Sequence, residues 1–132
     1  MPLREYLCIS NDGNVFLFGY STYYHQDNKG GVLYPKMIPL LKNIKSLSTN
    51  EEHTACIDND GNVFTFGSNI YGKLGIGIDG DTLKFTHIPQ KLKLPPCKQV
   101  CCGNSFTICL TESGEVYSFG YNERGQLGFG NN

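Results

Sequence analysis

The sequence has no tryptophan, no long run of apolar residues and almost no net charge, which is −1 over 132 residues. A membrane-spanning helix needs about 20 consecutive apolar residues, so we expect no membrane partner. Binding to a phosphate backbone depends on concentrated Lys and Arg, and without a basic cluster or tail we expect no nucleic-acid partner. The first residues also lack the pattern of a signal peptide, and a cytoplasmic or nuclear location is the default expectation.

Helical periodicity and catalytic motifs are missing as well. No stretch of the sequence repeats apolar residues at the sustained spacing of an α-helix. There is no Ser–His–acid ordering in a nucleophile-elbow context, and no motif places a pair of carboxylates together. We therefore expect an all-β chain with no catalytic site, no metal site and no cofactor.

What is present is a repeated phrase. Residues 12–19 (DGNVFLFG) return as residues 60–67 (DGNVFTFG), and residues 113–120 (SGEVYSFG) are a third copy. The second residue of the phrase, a glycine, recurs after 48 and then 53 residues. Periods of this length are typical of a chain built from one supersecondary unit used several times.

Each copy has the local chemistry of a β-hairpin. The Asn-Asp-Gly sequences at 11–13 and 59–61 favour a tight turn, because Asn and Asp tolerate positive φ and Gly adopts it readily. The residues that follow are β-branched or aromatic, and their alternation places Phe64 and Phe66 on one face of a strand. Further strands are predicted around residues 36–38, 44–48, 86–92 and 98–102. Four strands in a unit of about 50 residues is the size of a propeller blade.

The six cysteines follow the repeat. Cys8, Cys56 and Cys109 occupy one equivalent strand position, where a small apolar side chain fits a packed sheet. Equivalent positions in neighbouring units are expected to be too far apart for a disulfide. The other three cluster within residues 97–102 without the paired Cys-x-x-Cys spacing of zinc sites. We interpret the cysteines as structural thiols, with a zinc or redox role as the alternative.

The complete unit resembles the regulator of chromosome condensation repeat. Residues 102–107, 114–120 and 125–128 follow the three successive motifs of that repeat, which end in Gly-Gln-Leu-Gly. The chain departs from the pattern in its first long loop, which lacks the Gly-Gln-Leu-Gly signature, and at the histidine position, which is His53 in one copy and Phe106 in the other. Phenylalanine also stands at the tryptophan position of every copy, at Phe18, Phe66 and Phe119.

The resemblance implies β-propeller blades of four-stranded antiparallel sheets. Members of the family usually have seven blades, and this chain has room for a partial, open array of about 2.5. We expect residues 1–132 to be one partial propeller segment with repeats near 12–57, 60–110 and 113–132, the last incomplete. An open array leaves apolar faces and strand edges in water. The chain is therefore expected to be a fragment of a longer protein, a homo-oligomer subunit that completes a ring, or a two-blade arc with adapted ends.

The main functional hypothesis is a protein–protein interaction module with no catalytic site of its own. The loop over residues 20–34 is rich in tyrosine, which supplies a large contact area at a low entropic cost. Tyr23 and Tyr24 are the candidate partner-binding residues in this loop. The alternative is an ordinary blade loop with no partner.

The resemblance also implies a second function, guanine-nucleotide exchange on a Ran-like small GTPase. In that family, histidines at the repeat position of His53 lie on one face of the ring and some contribute to engaging the GTPase. Glu51, Glu52 and His53 would then form the exchange surface. The alternative for His53 is a structural role, hydrogen-bonding neighbouring backbone to fix the turn. A third possibility is the targeting domain of a larger ligase or signalling protein.

Overall fold

The computed structural model describes residues 5–19, 32–50, 52–77, 83–122 and 128. These residues form ten strands and one short 3-10 turn at Ile70–Gly72, and none of their helical structure is long and apolar enough to cross a membrane. The strands are β1 (Glu5–Ile9), β2 (Val15–Gly19), β3 (Val32–Met37), β4 (Ile44–Thr49), β5 (His53–Asp58), β6 (Val63–Ser68), β7 (Phe85–Lys91), β8 (Cys97–Cys102), β9 (Phe106–Thr111) and β10 (Val116–Gly120).

The strands pair into three antiparallel sheets. The first sheet has the order β1-β2-β3, the second β4-β5-β6-β7 and the third β10-β9-β8. The second sheet has all four strands of a unit, and its neighbours have three each among the described residues. The predicted all-β architecture of antiparallel sheets is confirmed, and each additional strand expected from the sequence is present.

The repeat fixes the same strand register in every sheet. Cys8 lies opposite Phe16, Cys56 opposite Phe64, and Cys109 opposite Tyr117. The hairpin turn sets this register: in the second sheet, Asp58 Oδ1 accepts hydrogen bonds from the backbone N–H of Asp60 at 3.0 Å and of Asn62 at 2.8 Å. Ser10 Oγ and Thr111 Oγ1 accept the equivalent bonds from the N–H of Asn14 at 3.1 Å and of Glu115 at 2.9 Å, so a side-chain oxygen just before the turn caps it in every sheet.

The boundaries of the sequence repeats do not coincide with the boundaries of the sheets. The unit predicted over residues 60–110 supplies β6 and β7 to the second sheet, and β8 and β9 to the third. Each repeat therefore connects two neighbouring sheets covalently. The repeat boundaries are set by sequence similarity, whereas the sheet boundaries are set by strand pairing.

Two apolar cores lie between the sheets, and each joins an aromatic face to an aliphatic one. In the first core, Phe66 and Phe64 of the second sheet pack with Val15 and Leu17 of the first. In the second core, aromatic side chains of β10 pack with aliphatic side chains of β5 and β6. The residues that carry this second contact are Tyr117, Phe119, Ile57 and Val63. Burying a side chain of this size stabilises the fold by about 1.5–3 kcal/mol, so adjacent sheets stabilise each other.

Candidate interaction site at the seam between two sheets

Two of the five predicted contact residues fall where the structure describes the chain, at the start of β5. Tyr23, Tyr24 and Glu51 lie outside the described residues, and their roles stay predictions. Glu52 and His53 are described, and they lie at the seam where the second sheet meets the third.

His53 is buried and bonded across this seam. Its Nε2 lies 2.8 Å from Oγ1 of Thr107, in the third sheet. Thr107 Oγ1 donates its proton to the backbone carbonyl of Lys73 at 2.7 Å. Since a hydroxyl has one proton to donate, His53 must supply the proton of its own bond to Thr107. This bond therefore places a hydrogen on Nε2 of His53.

The surroundings of His53 keep it neutral. Burial, and to a smaller extent the nearby ammonium of Lys73, lower the pKa of His53 from 6.5 to about 4. The Phe106 backbone and the Glu52 carboxylate act in the opposite direction, with smaller effects. Removing the imidazolium from water without a buried anion beside it disfavours the charged form. His53 consequently serves as a neutral hydrogen-bond donor between two sheets.

Lys73 forms a buried ion pair with Glu52. The Lys73 side chain is 0% exposed and its Nζ contacts Glu52 Oε2, whereas the Glu52 side chain is 37% exposed. A buried ammonium is costly unless it is paired, so the position of Glu52 is linked to that of Lys73. This pair ties the loop that follows β6 to the start of β5.

The loop at residues 72–75 also reaches the third sheet. Thr65 Oγ1 donates to the carbonyl of Leu74 at 2.7 Å, and Asn69 Oδ1 accepts from the N–H of Leu74 at 3.0 Å. Gly75 has φ +69°, and a Cβ atom there would lie 2.5 Å from Cε2 of Phe119. The glycine is thus required both by its backbone conformation and by an aromatic ring of the neighbouring sheet.

An exposed apolar group lies beside this fixed loop. Ile70 is 48% exposed, Tyr71 60% and Leu83 39%, and we call these three residues the Tyr71 patch. Tyr71 has φ +66°, a left-handed conformation that costs a residue with a side chain roughly 1–2 kcal/mol. Its ring contacts that of Tyr121, with centroids 4.7 Å apart and planes at 57°.

The Tyr71 patch was missed by the sequence analysis. A signal was available in the alignment of the copies, because the loop positions of Ile70 and Tyr71 are occupied by Glu123 and Arg124 in the third copy. The same repeat position therefore has charged residues in another copy of the sequence. The exposed apolar surface of these residues makes the Tyr71 patch a candidate contact surface.

The thiols show little chemical activation. Burial raises the pKa of Cys56, Cys102 and Cys109 to about 12, and burial also raises the pKa of Cys97. Such groups hold little thiolate, the form that reacts and binds metals. All six cysteines lie among the described residues as free thiols, and within those residues no group of three or more His, Cys, Asp or Glu could hold a metal ion.

Comparisons with known proteins place this arrangement in a family. A profile for the regulator of chromosome condensation (RCC1) repeat matches residues 60–110, and a second profile of the same description matches residues 44–73 and 97–126. The chain is 35% identical over 120 residues to the human (Homo sapiens) X-linked retinitis pigmentosa GTPase regulator, which covers 91% of the chain and 11% of that protein. It is 45% identical over 85 residues to the secretion-regulating guanine nucleotide exchange factor of Mus musculus, covering 64% of the chain and 18% of that protein.

The fold agrees with these relatives. The crystal structure of Prp20p from Saccharomyces cerevisiae, studied for its binding to Gsp1p and histones, superimposes with a TM-score of 0.83 at 23% identity. The match covers 96% of this chain and 33% of Prp20p, so the chain spans a minor part of each relative. The repeated hairpin, the shared register and both profiles lead to one conclusion. The chain belongs to the regulator of chromosome condensation repeat family, and its three sheets are blades of that family's β-propeller.

Proposed function

We propose that this chain is a protein–protein interaction module with no catalytic site of its own, and that its loops at the seam around Glu52 and Tyr71 contact the partner. The observation that carries the proposal is the Tyr71 patch, an exposed aromatic group on a loop fixed by hydrogen bonds to its own blade and by packing on the next. Functional loops on a rigid scaffold are a common arrangement in binding proteins. Tyr23 and Tyr24 remain the second proposed contact group.

Within this proposal Glu52 and His53 have different roles. Glu52 retains solvent exposure and can face a partner directly. His53 lies beneath it, and its bond to Thr107 holds the start of β5 in place. We therefore assign partner contact to Glu52 and a positioning role to His53.

Affinity capture tests the interaction module. The immobilised chain is compared with two double variants, Tyr23→Ala with Tyr24→Ala and Ile70→Glu with Tyr71→Arg, using quantitative mass spectrometry of the bound proteins. We expect at least one protein to bind the wild type and to be lost from one of the variants. Retention of every captured protein by both variants would contradict the proposed contact surface.

Exchange on a small GTPase is the second candidate function. It is favoured by the names of two relatives, a GTPase regulator and a guanine nucleotide exchange factor, and by the accessible carboxylate of Glu52. The test is release of a labelled guanine nucleotide from a Ran-like GTPase. Acceleration by the wild type, reduced when Glu51 is changed to Gln, would support exchange. An unchanged release rate eliminates it for this chain.

Assembly into a ring is a further proposal about partners. On the first blade, Phe18 and Tyr6 lie on the face opposite the second blade, and their rings stack with centroids 5.4 Å apart. On the third blade, Leu110 and Val116 likewise lie on the face opposite the second blade. Each internal core joins an aromatic face to an aliphatic face. The outer face of the first blade is likewise aromatic and that of the third blade aliphatic, so a second copy could pack head to tail. Light scattering should then give one discrete multiple of the chain mass. A monodisperse monomer would contradict this assembly and would leave a role as the targeting segment of a larger ligase or signalling protein.

A further inference from the structure

We propose that Tyr71 and Glu52 together form a docking point for an arginine side chain of a protein partner. This inference rests on the proposed interaction module and specifies the partner chemistry at one place on it. Three observations carry it: the fixed position of the Tyr71 ring, the carboxylate of Glu52 held against the same loop, and the presence of an arginine instead of an aromatic residue at this position of the third copy.

The Tyr71 ring is held in place before any partner binds. Asn69 fixes both ends of the loop, since its side chain accepts from the N–H of Leu74 at 3.0 Å and donates to the carbonyl of Leu83 at 2.9 Å. The N–H of Gly72 also donates to the carbonyl of Asn69 at 2.9 Å, which closes the turn around Tyr71. Contact with Tyr121 then supports the ring from the next blade. A preorganised aromatic surface loses little freedom on binding.

Glu52 lies against both ends of the same loop. The N–H of Ser68 donates to the carbonyl of Glu52 at 2.8 Å, and five residues later Lys73 Nζ contacts Glu52 Oε2. The carboxylate remains more than one third exposed despite its pairing with Lys73. A second cation can therefore approach it from the solvent side, at the loop that carries Tyr71.

Arginine is the side chain that matches this pair of groups. Its planar guanidinium stacks on an aromatic face while its edge donates hydrogen bonds to a carboxylate. A lysine ammonium is a compact, strongly hydrated charge and lacks the flat surface for stacking. The third copy has Arg124 at the loop position of Tyr71, which indicates that the aromatic platform is particular to the second blade.

The first experiment is an NMR titration of the 15N-labelled chain with two capped tripeptides, Gly-Arg-Gly and Gly-Lys-Gly. We expect amide shifts concentrated at Glu52, Tyr71 and Gly72, with an affinity for the arginine peptide at least about threefold higher than for the lysine peptide, because only arginine both stacks and pairs. Equal affinities, shifts elsewhere on the chain, or no shifts would overturn the proposal.

Variants separate the ring from the carboxylate. Ile70→Glu with Tyr71→Arg installs the residues of the third copy, which this loop type accommodates, and should abolish the arginine-specific shifts while the rest of the spectrum is unchanged. Lys73→Gln frees the carboxylate from its internal cation and should keep or strengthen arginine binding. Adding Glu52→Gln to Lys73→Gln should reduce the arginine preference to the part that stacking on Tyr71 supplies. An undiminished preference in either double variant would overturn the assignment.

The titration and the capture experiment fail independently. If proteins are captured through these loops but arginine is not preferred over lysine, the docking point is wrong and the interaction module stands. If the chain prefers arginine at Tyr71 but captures no protein, the docking chemistry is supported and the proposed function is contradicted.

Discussion

Nε2 of His53 and Oγ1 of Thr107 lie 2.8 Å apart although the two residues are separated by 54 positions in the sequence. The bond joins the second blade to the third, and the carbonyl of Lys73 accepts the hydroxyl proton of Thr107. Buried polar groups bonded in this way align two sheets that apolar packing alone would leave free to slide. The seam is thus held by polar bonds as well as by apolar packing, and the bonds between Cys102 and Ser48 are further examples.

We expect the stability of the chain to decrease as the pH falls from about 6.5 to about 4, because the unfolded state binds a proton at His53 that the folded state resists. The folded pKa of His53 is lowered to about 4, so its contribution is present above the unfolded value of 6.5 and is lost as the pH approaches 4. The shift corresponds to about 3 kcal/mol of unfolding free energy at most. Urea unfolding between pH 4 and 7.5 measures it.

The matched variant for this experiment is His53→Gln, which keeps an N–H donor near Thr107 and cannot titrate. The difference in unfolding free energy between wild type and variant should shrink steadily below pH 6.5, since only the wild type loses this contribution. A difference that is constant with pH would show that His53 is protonated equally in both states.

Glu52→Gln should destabilise the chain more than Lys73→Gln. The first change leaves the buried ammonium of Lys73 without its carboxylate, whereas the second removes the buried charge and leaves Glu52 at the surface. We expect a loss of about 2 kcal/mol for Glu52→Gln and less than about 1 kcal/mol for Lys73→Gln.

Chemical denaturation at neutral pH measures both variants, and the double variant completes the thermodynamic cycle. The double variant should be more stable than Glu52→Gln alone, because it no longer buries an unpaired charge. Equal losses for the two single changes would argue that Lys73 reaches solvent when Glu52 is absent.

Gly75→Ala should destabilise the chain more than Gly77→Ala. Both glycines have positive φ, +69° and +88°, so an alanine at either position has backbone strain of about 1–2 kcal/mol. At Gly75 the new Cβ would also meet the ring of Phe119, while none of the residues that the structure describes has an atom within 4 Å of a Cβ at Gly77. The difference in melting temperature between the two variants isolates the contact between blades. Equal melting temperatures would mean that the Phe119 ring moves aside freely.

Two of the six thiols should react quickly with a disulfide reagent at pH 8. Cys8 and Cys101 are exposed, whereas burial raises the pKa of Cys56, Cys97, Cys102 and Cys109. Reaction needs the thiolate, so we expect the buried thiols to react at least about 100-fold more slowly. The double variant Cys8→Ser with Cys101→Ser should lose the fast phase. A fast phase that survives would identify an activated thiol within a blade.

The local structure of this chain is largely determined by its sequence. The Asn-Asp-Gly turns and the alternation after them predict the hairpins, and the repeat predicts that Cys8, Cys56 and Cys109 share one register position, as the strand pairs confirm. These features depend on residues close together in the chain, where turn conformation and side-chain alternation act directly.

The contacts at the seam between the second and third blades depend on the tertiary structure. Nothing near Lys73 in the sequence indicates that its ammonium is buried on Glu52, and a glycine pattern alone does not show that Gly75 faces Phe119. His53 was expected to contact a partner or neighbouring backbone, and those roles stay predictions. The structure adds a bond to Thr107, a side chain of another blade, which the sequence did not indicate. Burial, pKa and exposure of these groups depend on which distant strands pack together. The sequence by itself therefore determined the blades, and the packing of one blade on the next decided which side chains support the fold and which remain accessible to a partner.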